Sequence, residues 1–116
     1  MNKQIHDEVL KIEEKGLTGV ELLALVTDSS YEVVFYANYN GKVRQSNDLA
    51  EDGVLDLHFV EEIYSSVANA VRADKKFEPE KMNIIKASGD DVSIEYDDRN
   101  CRVYSLKKKW KESLGL

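Results

Sequence analysis

A chain of 116 residues with 42% apolar and 33% charged residues fits one soluble globular domain, and at this length roughly two thirds of the unfolded surface can be buried without disulfides or metal. The single cysteine, Cys101, excludes an internal disulfide, and no apolar run approaches the roughly eighteen residues of a membrane span or forms the core of a signal peptide, so a reducing cytosol is expected. The net charge of −6 divides unevenly, because residues 99–116 hold Arg99, Arg102, Lys107, Lys108, Lys109 and Lys111 against Glu112 alone, a local +5 that leaves the rest of the chain at −11.

Residues 2–15 read as an amphipathic helix, since Ile5, Val9 and Ile12 recur at helical spacing among Lys, Asp and Glu. Gly16 ends it, and Gly16 and Gly19 bracket a turn into the most apolar part of the chain, 19–39. That stretch has the pattern of a β-hairpin around Thr27, Asp28, Ser29 and Ser30, small polar residues that bend a backbone through local hydrogen bonds. Val33, Phe35, Ala37 and Tyr39 fall on one face of the second strand and Val34, Tyr36 and Asn38 on the other, so both faces of the sheet need cover. Asn40-Gly41 predicts a type I′ turn into a third strand, Lys42 to Gln45, giving an antiparallel meander. The polar, acidic run Ser46 to Gly53 reads as a loop.

From Val54 to about Phe77 runs the longest helical pattern, with Leu55, Phe59, Ile63, Val67 and Val71 in a four-residue series widened by Val60, Tyr64 and Ala70. Pro79, the lone proline, is the predicted stop. Met82–Ala87 and Val92–Tyr96 form a second hairpin through Ser88, Gly89, Asp90 and Asp91. In the last segment Leu106, Trp110 and Leu114 share one helical face, so a closing helix is expected to dock through Trp110. The expectation is a single-domain α+β fold of order α-β-β-β-α-β-β-α over residues 1–116: an antiparallel sheet of about five strands in two meanders, a long helix across it, and helices at both ends.

Support for catalysis is thin. The six glycines are scattered as turn punctuation, with no phosphate-cradling loop and no G-x-S-x-G motif. His6 and His58 have no second His or Cys at metal spacing, so no metal or other cofactor is expected. Cys101 sits beside Arg102, a cation able to lower its pKa, but no base or orienting partner is legible. Pairs among 22 carboxylates are expected by chance.

Charge is more informative. An acidic body is expected to repel nucleic acid and attract basic partners, with steering that weakens as salt rises; solubility alone would also account for it. In the strand 91–97, Val92, Ile94 and Tyr96 alternate with Asp91, Ser93, Glu95 and Asp97, so one face enters the core and the other lines up carboxylates about 6.6 Å apart, with Asp90 and Asp98 extending the row. Such a row either presents a phosphate-like surface to a nucleic-acid-binding protein or simply blocks edge pairing. Asp48, Glu51 and Asp52 in the 46–53 run are the second acidic candidate. The tail lysines either contact phosphates or surround an apolar stripe and complement a helix dipole, and the second reading is preferred.

Four stretches, YEVVFYANYNG at 31–41, FVEEIYSSVANAV at 59–71, IIKASGDDVSIEYDD at 84–98 and KKKWKESLGL at 107–116, resemble in order the YezG-like immunity proteins of bacterial polymorphic toxin systems. In that family an aromatic strand, a helix, a strand-Gly-strand ending in Tyr and acidic residues, and a closing Trp helix recur. Immunity proteins of contact-dependent growth inhibition systems are similar in size and charge. The chain departs from the pattern between Asp98 and Ser105, where relatives carry a longer acidic insertion. The resemblance implies a small cytoplasmic, non-enzymatic protein, a monomer or weak dimer, that binds and blocks the C-terminal toxic domain of a cognate effector such as a nuclease, with no direct contact to nucleic acid or membrane. Together with the acidic charge and the alternation of 91–97, it makes Asp90, Asp91, Glu95, Asp97 and Asp98 the first toxin-binding candidates, with Asp48, Glu51 and Asp52 second. The alternatives are a small enzyme using carboxylates or Cys101, and a structural adaptor.

Overall fold

Nine elements follow one another in the computed structural model, which describes residues 1–89 and 91–116: α1 (Asn2–Glu13), β1 (Thr18–Val26), β2 (Tyr31–Tyr39), β3 (Lys42–Gln45), α2 (Ser46–Glu51), α3 (Leu57–Arg72), β4 (Lys81–Ser88), β5 (Asp91–Asp98) and α4 (Val103–Ser113). The strands form one antiparallel sheet in the order β3-β2-β1-β4-β5. The most apolar strand is therefore central. Leu22 to Val26 of β1 are all buried, because each faces a neighbouring layer on one side of the sheet or the other.

The first two of the three predicted hairpin turns form, and the third includes Asp90, which lies outside the described residues. Thr27 ties the first through its side chain, its hydroxyl oxygen accepting the Ser30 N–H at 3.0 Å. Asn40 and Gly41 take φ of 52° and 79°, the left-handed pair that a type I′ turn requires. Gly19, at φ 58°, lies in the register shift between Thr18 and Glu21, where an extra residue bulges out of the β1–β2 ladder.

Alternation sorts the sheet into two faces. Val20, Leu22, Ala24, Val26, Val33, Phe35, Ala37, Ile85 and Ala87 point to a main core closed by Ile5, Val9 and Ile12 of α1 and by Val60, Ile63, Val67 and Val71 of α3. Leu23, Leu25, Val34, Met82 and Ile84 point the other way, into a smaller core closed by Trp110 of α4, which is 5% exposed. Leu106 and Leu114 flank Trp110 as expected, and its ring lies 5.6 Å from that of Tyr36. No helix among the described residues is long and apolar enough to cross a membrane.

Three expectations are corrected. The run 46–53 is not a loop throughout, since Ser46–Glu51 forms α2, and the order is α-β-β-β-α-α-β-β-α. Its cause is tertiary: Ser46 and Leu49 are fully buried, and the Ser46 hydroxyl accepts the Phe35 N–H at 3.3 Å where β3 has run out and can no longer pair β2. The long helix is shorter than its pattern. Asp56 caps it by accepting the His58 N–H at 2.7 Å, leaving Leu55 buried ahead of the helix, and it ends at Arg72 rather than near Pro79. Tyr96 does not enter the core. It sits on the outermost strand at 40% exposure, and its hydroxyl donates to the Lys76 carbonyl beyond the end of α3.

A candidate interaction surface on the outer strand

The regular alternation of β5 places Asp91, Ser93, Glu95 and Asp97 on one face, all exposed, and Val92 and Ile94 on the other, half-buried against the margin of the main core. The register with β4 identifies the acidic face as the one covered further in by α4, because Asp97 pairs with Met82 and Glu95 with Ile84, both in the smaller core. The carboxylate row and the basic helix therefore share a side of the sheet. Lys86 of β4 approaches Glu95 at 3.6 Å, and Asp97 lines a hollow with Arg102, Lys109 and Cys101. The row is thus edged with cations on its inner flank, and no strand of the sheet lies beyond it.

Its members differ in what else they do. Asp91 has no ion pair or side-chain hydrogen bond among the described residues, and Glu95 has only the loose contact with Lys86. The Asp97 carboxylate accepts the Asp98 N–H at 2.7 Å, and that of Asp98 accepts the Asn100 N–H at 2.8 Å, so both carboxylates also shape the turn out of the strand. Asp90 lies outside the described residues. Asp48, Glu51 and Asp52 are exposed on and just after α2, beside the opposite edge strand, with Asp52 paired to Arg44 of β3. Four strand spacings, about 19 Å, separate the two acidic groups, so the fold makes two patches of them.

Two cations of the tail, Arg99 and Lys107, are tied to the β1–β2 hairpin. Arg99 reaches Asp28 in the β1–β2 turn at 2.6 Å and Lys107 reaches Glu32 of β2 at 2.6 Å, so they help to seat α4. Neither pair was legible in the sequence, whose partners lie 71 and 75 residues apart. Also unread was an open groove of about 430 Å³ beside α4, floored by Tyr36 and Trp110 and rimmed by Tyr104, Lys108, Lys111 and Leu116. Tyr104 is 77% exposed and lines this groove together with Tyr36.

The groups considered for chemistry stay apart. Cys101 is half-buried, and burial, reinforced by Asp97 and Asp98, raises its thiol pKa, the opposite of the lowering that a neighbouring cation could give. His6 Nδ1 lies 3.2 Å from the Gly89 carbonyl oxygen, whereas His58 stands in the first turn of α3 with Nε2 3.0 Å from Glu62. Among the described residues no three His, Cys, Asp or Glu are grouped to hold a metal ion. Comparison of the chain with protein-family models, with curated proteins and with solved structures finds no match.

Proposed function

We propose that the protein is a YezG-like immunity protein, a cytoplasmic, non-enzymatic inhibitor that binds the toxic C-terminal domain of a cognate effector and occludes its active or substrate-binding surface. The observation that carries this reading is the exposed row Asp91, Glu95 and Asp97 on one face of a strand held along its whole length by β4. A nuclease domain must offer a cationic surface to phosphates, and a rigid row of carboxylates complements such a surface without any ordering of the strand on binding. Long-range attraction of this kind acts mainly on the association rate and on the rejection of wrong partners. Exposed aromatic groups such as Tyr104 offer the apolar contact that tight binding also needs.

The partner to test is the C-terminal domain of the protein encoded immediately upstream. Co-expression of the present chain is expected to rescue growth of cells making that domain. The triple variant Asp91→Lys, Glu95→Lys, Asp97→Lys is expected to stay folded, to associate at least about tenfold more slowly at low salt, and to lose most of the salt dependence of the on-rate. Unchanged association kinetics would remove this row from the contact, and failure of rescue by the wild-type chain would remove the immunity reading.

A further inference from the structure

We infer that the outer edge of β5 is a strand-addition site for an extended basic segment of the partner, one that alternates Lys or Arg with apolar residues. This rests on the proposed basic partner and specifies how it docks. β5 is the last strand of the sheet, eight residues long, and pairs in unbroken register with β4 from Asp91 to Asp98. An edge of that length leaves alternate N–H and C=O groups directed outward without a ladder partner. Among the described residues, the backbone groups of β5 that bond outside that ladder are at its end, the Asp98 N–H and the Asp98 carbonyl.

Edge strands are normally blunted by shortness, by lysine, by proline or by a bulge. The other edge, β3, has two of these devices, being four residues long and carrying Lys42 and Arg44. β5 has none of them. The charges it carries are carboxylates, at Asp91, Glu95, Asp97 and Asp98. That guard is selective by sign. Antiparallel pairing with a second copy, centred on Ile94, would set Asp91 opposite Asp97 twice, and like charges opposite one another oppose pairing. A basic strand turns the same charges into attraction.

The two faces of β5 also specify an alternating occupant. Residues directly opposite in a sheet share a face, so cations of an added strand would meet Asp91, Glu95 and Asp97 while its apolar residues would cover Val92 and Ile94, which the main core leaves half-exposed. Lys86 and Lys109 stand on the inner flank of the row, towards Ile84 and Trp110, and Arg102 shares a hollow with Asp97, while no strand of the sheet lies beyond β5.

The test needs no toxin. A blocked seven-residue peptide alternating lysine and valine is titrated into the isotopically labelled full chain, and amide shifts and hydrogen exchange are read. The expected result is slowed exchange of amides within 92–97, shift changes centred on β5, and binding weakened at least about tenfold in the Glu95→Lys, Asp97→Lys variant. The isosteric pair Glu95→Gln, Asp97→Asn, which keeps the side-chain shapes, is expected to weaken binding as well. A matched peptide with glutamate for lysine is expected to bind the reversed variant and not the wild type. Absence of binding, binding without slowed exchange in β5, or equal binding of the two peptides would overturn strand addition. Those results would leave the acidic-surface reading to be judged by its own association kinetics.

Discussion

Ser46 shows how one side chain substitutes for a missing strand. Its hydroxyl accepts the Phe35 N–H and hydrogen-bonds the Tyr64 hydroxyl, which also donates to Asn47 Oδ1 at 3.3 Å, so an unpaired strand donor, α2 and α3 meet at one buried oxygen. Burial raises the Tyr64 pKa, and the bond to Ser46 only partly opposes that. Ser46→Ala strands the Phe35 donor and is expected to cost about 1–3 kcal/mol in denaturant melts. Asn83 has a similar role in β4: it is fully buried, its amide nitrogen donates to the carbonyls of Val26, Glu78 and Lys81, and its Oδ1 accepts the Glu78 N–H. Neither role was legible, because a serine in a polar run and an asparagine in a strand carry no local sign of a distant partner. Trp110 was legible, since an apolar stripe among lysines has no other use for it. Trp110→Ala removes the buried ring that closes the smaller core and is expected to destabilise the fold by about 3–5 kcal/mol. A loss below about 1 kcal/mol would mean that α4 is not held by this residue.

Elements are joined by tethers that a linear pattern does not contain. Arg99, in the turn before α4, holds Asp28 in the β1–β2 turn, and this hydrogen bond is the main cause of the lowered Asp28 pKa. A carboxyl whose folded pKa lies below its unfolded value contributes stability above the unfolded value, about 3.9, and loses it as pH falls through the folded one. Asp28→Asn is therefore expected to be less stable than wild type near neutrality, with the difference shrinking towards zero in melts at progressively lower pH below about 4. A constant difference across that range would assign the loss to the turn rather than to the charge. The bounds of α3 belong to this scale too. Its apolar series continues past both ends, but the Asp56 cap starts it at Leu57, and Leu55 is buried without being helical.

Across the whole molecule, the sheet divides charge as well as apolar surface. Between residues 46 and 74, on the side of α2 and α3, seven carboxylates face Arg72 alone, while the basic segment 99–116 lies across the opposite face. The β5 row is the exception, acidic on the basic side. If its charge is what keeps β5 from pairing with a second copy, the neutral variant Asp91→Asn, Glu95→Gln, Asp97→Asn is expected to show concentration-dependent dimers in sedimentation velocity, while the wild-type chain stays monomeric. A monomeric neutral variant would show that charge is not the guard.

Periodicity by itself determined most of the elements, though not α2, and the two-sided burial. A repeat of two sends Val33 and Val34 to opposite cores wherever the strand lies, and a repeat near four binds Ile5, Val9 and Ile12 into one stripe in any helix. The turns at 27–30 and 40–41 were likewise local, because their backbone angles come from their own residues. Only the tertiary structure decided that β1 is central and β5 outermost, that the two acidic runs lie at opposite edges, and that Lys86, Lys107 and Arg99 meet Glu95, Glu32 and Asp28. Strand order and ion pairs depend on which distant segments come to lie side by side, and burial of both sheet faces, a property of the whole chain, selects that arrangement.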